Sequence, residues 1–277
     1  MDAPLSLAGL ELRGHSVGGH ETWLDLPGLG LCFDIGRAPE ASLSTETVCF
    51  THAHVDHLGG VVSHCASRSL RGMSPPTYVV PPAVVPGLEQ LLEVWRGLDG
   101  AELPCRIVGL GPGDELAVKK RLVRPFPAYH FGPAQGYAVW EVRDKLRAEY
   151  QGLPGQRIKE LREAGTPITD RHETPLVAFS GDTRIELVEA EEVVRTARLL
   201  ILEVTFLDDR VSVASAREKG HVHLDEVIER AHLFENEAIL MTHFSARYNG
   251  RQVREILDER LPASLRERVT PLLTRFP

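Results

Sequence analysis

Thr51-His52-Ala53-His54-Val55-Asp56-His57-Leu58-Gly59-Gly60 places three imidazoles and a carboxylate within six residues. Val48-Cys49-Phe50 before it reads as a buried strand, and Gly59-Gly60 after it as a tight turn. His52 and His54 alternate as they would on leaving a strand, so their rings can share a direction. Asp56 and His57 fall where the chain turns and aim at a second point a few ångströms away. So short a backbone cannot close one tetrahedron around all four side chains. Two neighbouring metal ions can be served, and a two-metal centre is the reading that organises the rest of the chain.

The 277 residues are enough to bury a large core as a single α/β domain spanning 1–277. A content of 43% hydrophobic and 25% charged residues is that of a soluble globular protein. No apolar run is long enough to span a bilayer, so a membrane partner is not expected and a cytoplasmic location is. Cys32, Cys49, Cys65 and Cys105 form no CxxC pair, and the first two sit in apolar strand-like runs where a reduced thiol acts as a small hydrophobe. A net charge of −8 excludes a general nucleic-acid binder, which would be basic.

Strands are expected at Glu11–Arg13, Thr22–Leu26, Leu31–Asp34, Tyr78–Val80, Arg106–Val108, Arg121–Arg124 and Gly136–Trp140, and again at Leu176–Phe179, Leu199–Glu203 and Ala238–Met241. Helical spacing marks Val61–Leu70 and Val84–Leu98, then stretches near Glu189–Thr196, Leu224–Phe234 and Gly250–Leu261. A β-rich first half followed by alternating strands and helices predicts two facing sheets with helices outside. Residues 141–170 differ: polar, broken by glycine and proline, and mixed in charge sign, they predict a helical excursion. It is either a solvated helix pair or a surface for a partner subunit or a polyanion.

A two-metal site needs further ligands at strand ends, where several elements converge. His130 in Ala128-Tyr129-His130-Phe131-Gly132, Asp182 in Ser180-Gly181-Asp182-Thr183 and His243 in Leu240-Met241-Thr242-His243 each follow an apolar strand. The expected arrangement has His52, His54 and His130 on one metal, Asp56, His57 and His243 on the other, and Asp182 bridging. Nitrogen and oxygen donors without thiolate suit two Zn²⁺, with Mn²⁺ or Fe²⁺ able to occupy the same cage. Such a pair can share a hydroxide and bind the oxygens of a phosphodiester, giving in-line attack. The leaving alkoxide needs a proton, which His221 could supply if Glu203 orients it. Glu203 and His221 could equally be a structural pair, and His223 either competes for the donor role or caps the next helix.

The His52, His54, Asp56, His57 pattern resembles the HxHxDH signature of the metallo-β-lactamase superfamily. Within it the chain is similar to tRNase Z (ribonuclease Z), the endonuclease that removes the 3′ trailer from precursor tRNA. The blocks that carry this are Leu202-Glu203-Val204-Thr205-Phe206, Glu218-Lys219-Gly220-His221 and Thr242-His243-Phe244-Ser245-Ala246-Arg247-Tyr248. Gly18-Gly19-His20-Glu21-Thr22 and Phe33-Asp34-Ile35-Gly36-Arg37 look most like the short plant-type branch. The resemblance implies an αβ/βα four-layer sandwich, two zinc ions at the rim of the sheets, a homodimer, and a 3′-hydroxyl on the tRNA product. It implies Asp56, Glu203 and His221 as catalytic groups, the last two as proton relay.

Two departures stand out. Val17–Thr22 replaces the Pro-x-Lys-x-Arg-Asn loop with which many short bacterial members handle the tRNA end, and only residues 131–181 are available for the arm that grips the tRNA elbow. A phosphodiesterase of small diesters or cyclic nucleotides is therefore the alternative, since the same metals and relay attack any diester that fits. A non-catalytic RNA-binding member is a minor one, because such chains lose ligands and all seven positions are filled here.

Overall fold

Leu199–Glu203 and Ala238–Thr242 are buried at every position, which is the demand on parallel strands covered on both faces. The computed structural model describes residues 4–273. Its first sheet runs β1 (Leu5–Leu7), β2 (Leu10–Gly18), β3 (Glu21–Leu26), β4 (Leu31–Phe33), β5 (Thr47–Cys49), β6 (Thr77–Val80) and β7 (Arg106–Gly109), in that spatial order. It is antiparallel as far as β4 and parallel beyond. The second sheet uses β8 (Leu116–Val118), β9 (Arg121–Pro127), β10 (Gln135–Leu146), β11 (Thr169–Phe179), β12 (Leu199–Glu203) and β13 (Ala238–Thr242). The short β14 (Phe244–Ser245) pairs in parallel with β2 of the first sheet, while β15 (Val269–Pro271) closes the second beside β13.

The period of two sorts each strand between two cores. Leu199 and Ile201 face the space between the sheets with Phe33, Val79, Tyr137 and Phe179. Leu200 and Leu202 face outward onto a second core. There they meet Leu187 and Val188 of α5 (Glu186–Ala190), Val194 of α6 (Glu192–Thr196), Val227 of α8 (Leu224–Glu229), Val253 and Leu257 of α9 (Gly250–Arg260) and Leu265 of α10 (Ala263–Arg266). The one-turn α1 (Val55–Leu58) precedes α2 (Val61–Leu70), which with α3 (Val85–Asp99) covers the outside of the first sheet through Val61, Cys65, Leu88 and Leu92. The layers are helices, sheet, sheet and helices, the αβ/βα sandwich the resemblance implied. All four cysteines are free, and Cys32 and Cys49 are fully buried hydrophobes.

The excursion differs from expectation. It is helical only in a short 3₁₀ turn at Ala148–Tyr150 and in α4 (Gly155–Glu163); Glu141–Leu146 and the residues from Thr169 on are strand. Here β10 and β11 keep pairing, Leu146 with Thr169, after β9 has ended its pairing at Glu141. The result is a two-stranded ribbon that carries α4, whose residues are all at least partly exposed. Its charges pair internally, Arg147 with Asp170 at 2.9 Å, Arg157 with Glu160 at 3.0 Å and Lys159 with Glu163 at 3.8 Å. Exposed pairs of this kind add roughly 0–1 kcal/mol each, but they cancel one another's field at a distance.

Other boundaries shift for local reasons. The helix expected at Glu189–Thr196 is two, because Glu191 between α5 and α6 is extended, with φ −110° and ψ 108°. The one expected over Leu224–Phe234 ends at Glu229 and continues as a 3₁₀ turn. Leu31–Asp34 ends at Phe33 because Asp34 adopts φ 52°, and its carboxylate is committed elsewhere.

Candidate metal and phosphodiester site

Five strands end on one rim and deliver the side chains. Thr51–His57 follow β5, His130 follows β9, Asp182 follows β11, Glu203 is the last residue of β12 and His243 comes directly after β13. His221 enters from the loop behind α7 (Val213–Glu218). His54 is the N-cap of α1, so one helical turn sets Asp56 and His57 apart from His52 and His54. Gly60 has a packing reason: a Cβ there would lie 2.4 Å from the Ala38 amide, while its own N–H donates to the Gly36 carbonyl at 2.7 Å.

All seven expected ligands are brought together, in two groups. Donor atoms of His52, His54, His130 and Asp182 lie within 4.8 Å of one another, as do those of Asp56, His57 and His243. Asp182 Oδ2 is 3.7 Å from His52 Nε2 and 3.9 Å from His130 Nε2. Asp182 Oδ1 is 3.4 Å from His57 Nε2 and 3.3 Å from His243 Nε2, so the two oxygens face opposite groups. Asp56 Oδ2 lies 3.6 Å from both His57 Nε2 and His243 Nε2 and accepts the Gly19 amide at 2.9 Å. Ligands of a tetrahedral ion at about 2.1 Å stand about 3.4 Å apart, which is the spacing seen. His52 Nε2, His57 Nε2 and His243 Nε2 are buried without a hydrogen-bond partner among the described residues. Leaving such an atom unsatisfied costs roughly 1–3 kcal/mol, and cations between the groups remove that cost for all three. The residues therefore fit a pair of divalent ions, and the donor chemistry does not choose among Zn²⁺, Mn²⁺ and Fe²⁺.

A second layer of hydrogen bonds presents those nitrogens as lone pairs. The buried Asp34 carboxylate accepts from the Thr51 amide at 2.8 Å, from the Thr51 hydroxyl at 2.9 Å and from His57 Nδ1 at 2.8 Å. With its proton given to Asp34, the Thr51 oxygen accepts from His52 Nδ1 at 3.0 Å. The same device recurs across the site, where the Thr205 hydroxyl donates to Glu203 at 2.7 Å and accepts from His243 Nδ1 at 2.9 Å. His130 Nδ1 donates to the Gly220 carbonyl at 2.8 Å. Each proton on Nδ1 leaves Nε2 free for a metal. His54 is the exposed member, its Nδ1 3.4 Å from His130 Nε2. Asp34, Thr51 and Thr205 have no role in the sequence reading; each lies within two residues of the end of a buried strand, which is the signal they carry. Asp34→Ala is expected to weaken metal binding roughly 10–100-fold, measured by chelator competition; an unchanged affinity would remove Asp34 from the site.

Charge follows from the same contacts. Burial drives His52 and His130 below the ordinary histidine value. Burial opposes the charge on His57 too, but Asp182 and Asp34 outweigh it and hold that ring well above the ordinary value. Burial likewise works against the carboxylate of Asp182, yet His243 and His57 pull it far down. These rings and carboxylates stand in for the charge balance that cations would set.

Glu203 is buried and accepts from the Thr183, Thr205 and Val222 amides at 3.1, 3.1 and 3.2 Å as well as from His221 Nδ1 at 2.9 Å. His221 lies beside the ligands, its ring centroid 5.3 Å from His243 and 5.1 Å from His130. His223 does not compete with it: it caps α8, accepting the Asp225 amide at 3.2 Å in a capping box with Glu226. Burial depresses the His221 pKa, but Glu203 more than reverses this and raises it from about 6.5 to about 9. A raised folded-state value means that the pair stabilises fully below pH 6.5 and that this is lost as pH rises through about 9. In metal-free protein the His221 ring should titrate near pH 9 by NMR, and Glu203→Gln should move it downward; a midpoint unmoved by that change would dissolve the pair.

Residues 36–244 match the family model described as "Beta-lactamase superfamily domain". Fold and site thus define a metallo-β-lactamase superfamily protein. The chain is 42% identical over 275 residues to tRNase Z TRZ1 of Arabidopsis thaliana, covering 98% of both. It is 28% identical over 256 residues to Ribonuclease Z of Bacillus licheniformis, covering 82% of this chain and 81% of that one. It belongs to the tRNase Z family, in the short plant-type branch. Human tRNase Z, short form, superposes with a TM-score of 0.61 at 19% identity over 95% of this chain and 96% of that one, a likeness of fold alone.

Proposed function

We propose that this chain is a zinc-dependent endoribonuclease that removes the 3′ trailer from precursor tRNA and leaves a 3′-hydroxyl on the tRNA. The observation that carries the reading is the pairing of two ligand groups across Asp182 with an imidazole held by a buried carboxylate beside them. His52, His54 and His130 on one side, Asp56, His57 and His243 on the other and Asp182 between them would hold a pair of divalent ions, which would supply Lewis-acid activation of water near neutral pH and neutralise charge on the phosphate. His221 stands ready as the acid: Glu203 holds its Nδ1, so Nε2 carries the proton that the leaving 3′-oxygen needs. Five amide, hydroxyl and ring donors around Glu203 hold that carboxylate in place while the proton moves.

A cytoplasmic homodimer is part of this reading. On α3, Leu91, Val94, Trp95 and Leu98 are exposed at i, i+3, i+4 and i+7, an apolar stripe that a second copy would cover. Trp95→Glu should turn a dimer into a monomer in sedimentation velocity; a wild-type monomer at micromolar concentration would overturn this part.

Incubating the zinc-loaded protein with 3′-extended precursor tRNA and mapping the cut tests the whole. The expected cut follows the discriminator base. An uncut precursor with brisk hydrolysis of bis-p-nitrophenyl phosphate would replace this reading with a small-diester phosphodiesterase.

A further inference from the structure

Phe131 follows His130 and is 54% exposed, an unusual place to leave an aromatic ring open to water. Its ring centroid lies 5.5 Å from that of His130 at 61°. A Cβ on Gly220 would fall 3.1 Å from Phe131 Cε2 and 2.7 Å from His130 Nδ1. The ring is therefore pinned against the residue that precedes His221. Gly132, with φ 68°, turns the chain away immediately after it. The backbone behind it is anchored as well: the Tyr129 amide donates to Thr183 Oγ1 at 3.0 Å, and the Tyr129 carbonyl accepts from Arg184 N and Nε at 3.1 and 3.2 Å. No other function described above uses this ring.

We propose that Phe131 is the stacking platform for the base of the last retained nucleotide, the one whose 3′-oxygen is the leaving group; the proposal rests on the precursor-tRNA reading. Cleavage that leaves a 3′-hydroxyl puts that nucleotide's ribose against the proton donor, His221. Its base then lies one sugar away, on the side where Phe131 packs against Gly220. An unpaired base there gains a rigid apolar face, and stacking accepts all four bases because each has a π surface. The position thus fixes where the chain is cut without reading sequence.

The test compares wild type, Phe131→Ala, Phe131→Leu and Phe131→Trp on precursor tRNA with a normal or an abasic last retained nucleotide, zinc content being measured for each. Loss of the stack should lower kcat/KM for the normal substrate roughly 5- to 150-fold in the Ala and Leu variants, with Trp restoring it. The abasic substrate should cost wild type a similar factor and cost the Ala variant little. A Leu variant as good as wild type, or an abasic penalty equal in all four proteins, overturns the stacking while leaving the tRNA reading intact. A wild type that leaves both substrates uncut overturns the tRNA reading and the stacking with it.

Discussion

Asp182→Ala is expected to leave the protein with fewer than two ions and to reduce precursor cleavage by about four orders of magnitude. Its carboxylate reaches both ligand sets, 3.7 Å from His52 on one side and 3.3 Å from His243 on the other. Without it five imidazoles, those of His52, His54, His57, His130 and His243, confront two dications with only Asp56 to balance the charge. Asp182→Asn keeps the shape but offers a single acceptor oxygen, so one ion should survive where the alanine variant loses more. Metal counted by mass spectrometry alongside turnover checks this. Two ions per chain in the alanine variant would mean that Asp182 does not bridge.

His221→Ala is the second large effect, a fall of roughly 10²- to 10⁴-fold in kcat on precursor tRNA with both ions retained. It should be smaller on bis-p-nitrophenyl phosphate, whose phenolate leaves without needing a proton. The contrast separates proton donation from a packing role, because a packing defect would lower both activities together. Glu203→Gln should follow the same pattern more weakly, since an amide still accepts from Nδ1 but no longer favours the imidazolium. Equal losses on the two substrates would end the relay.

The seven convergent residues were legible because two independent patterns agree on them. HxHxDH is dense in ligands, and His130, Asp182 and His243 each terminate an apolar run. The second layer was not legible: Asp34, Thr51 and Thr205 reach His57, His52 and His243 across separations of 23, 1 and 38 residues, and no spacing rule links them. His221 and His223 look alike in Gly220-His221-Val222-His223; tertiary placement separates them, one onto Glu203 and the other onto the amide of α8. The ribbon reads as a helical excursion in sequence because β10 and β11 continue past their sheet with charges of both signs on both strands, which hides the period of two. Strand positions and the two-sheet layering followed from apolar runs, whereas strand order and pairing did not; the break at Glu191 depends on backbone angles that composition does not announce.

β13 belongs to the second sheet, yet two residues later β14 is paired with β2 of the first, and His243, at φ 62°, sits at that seam. His52 to His57 come from one half of the sandwich and His130, Asp182 and His243 from the other. Neither half holds a complete ligand set, so high-affinity binding is a property of the docked halves only. Ion binding then adds its free energy to the inter-sheet contact, about 4 kcal/mol when free metal is a thousand times its dissociation constant. A chain clipped or stalled before β13 would lack His243, one of the three ligands of the second ion, and occupancy of that second site would act as a checkpoint that only a finished molecule passes.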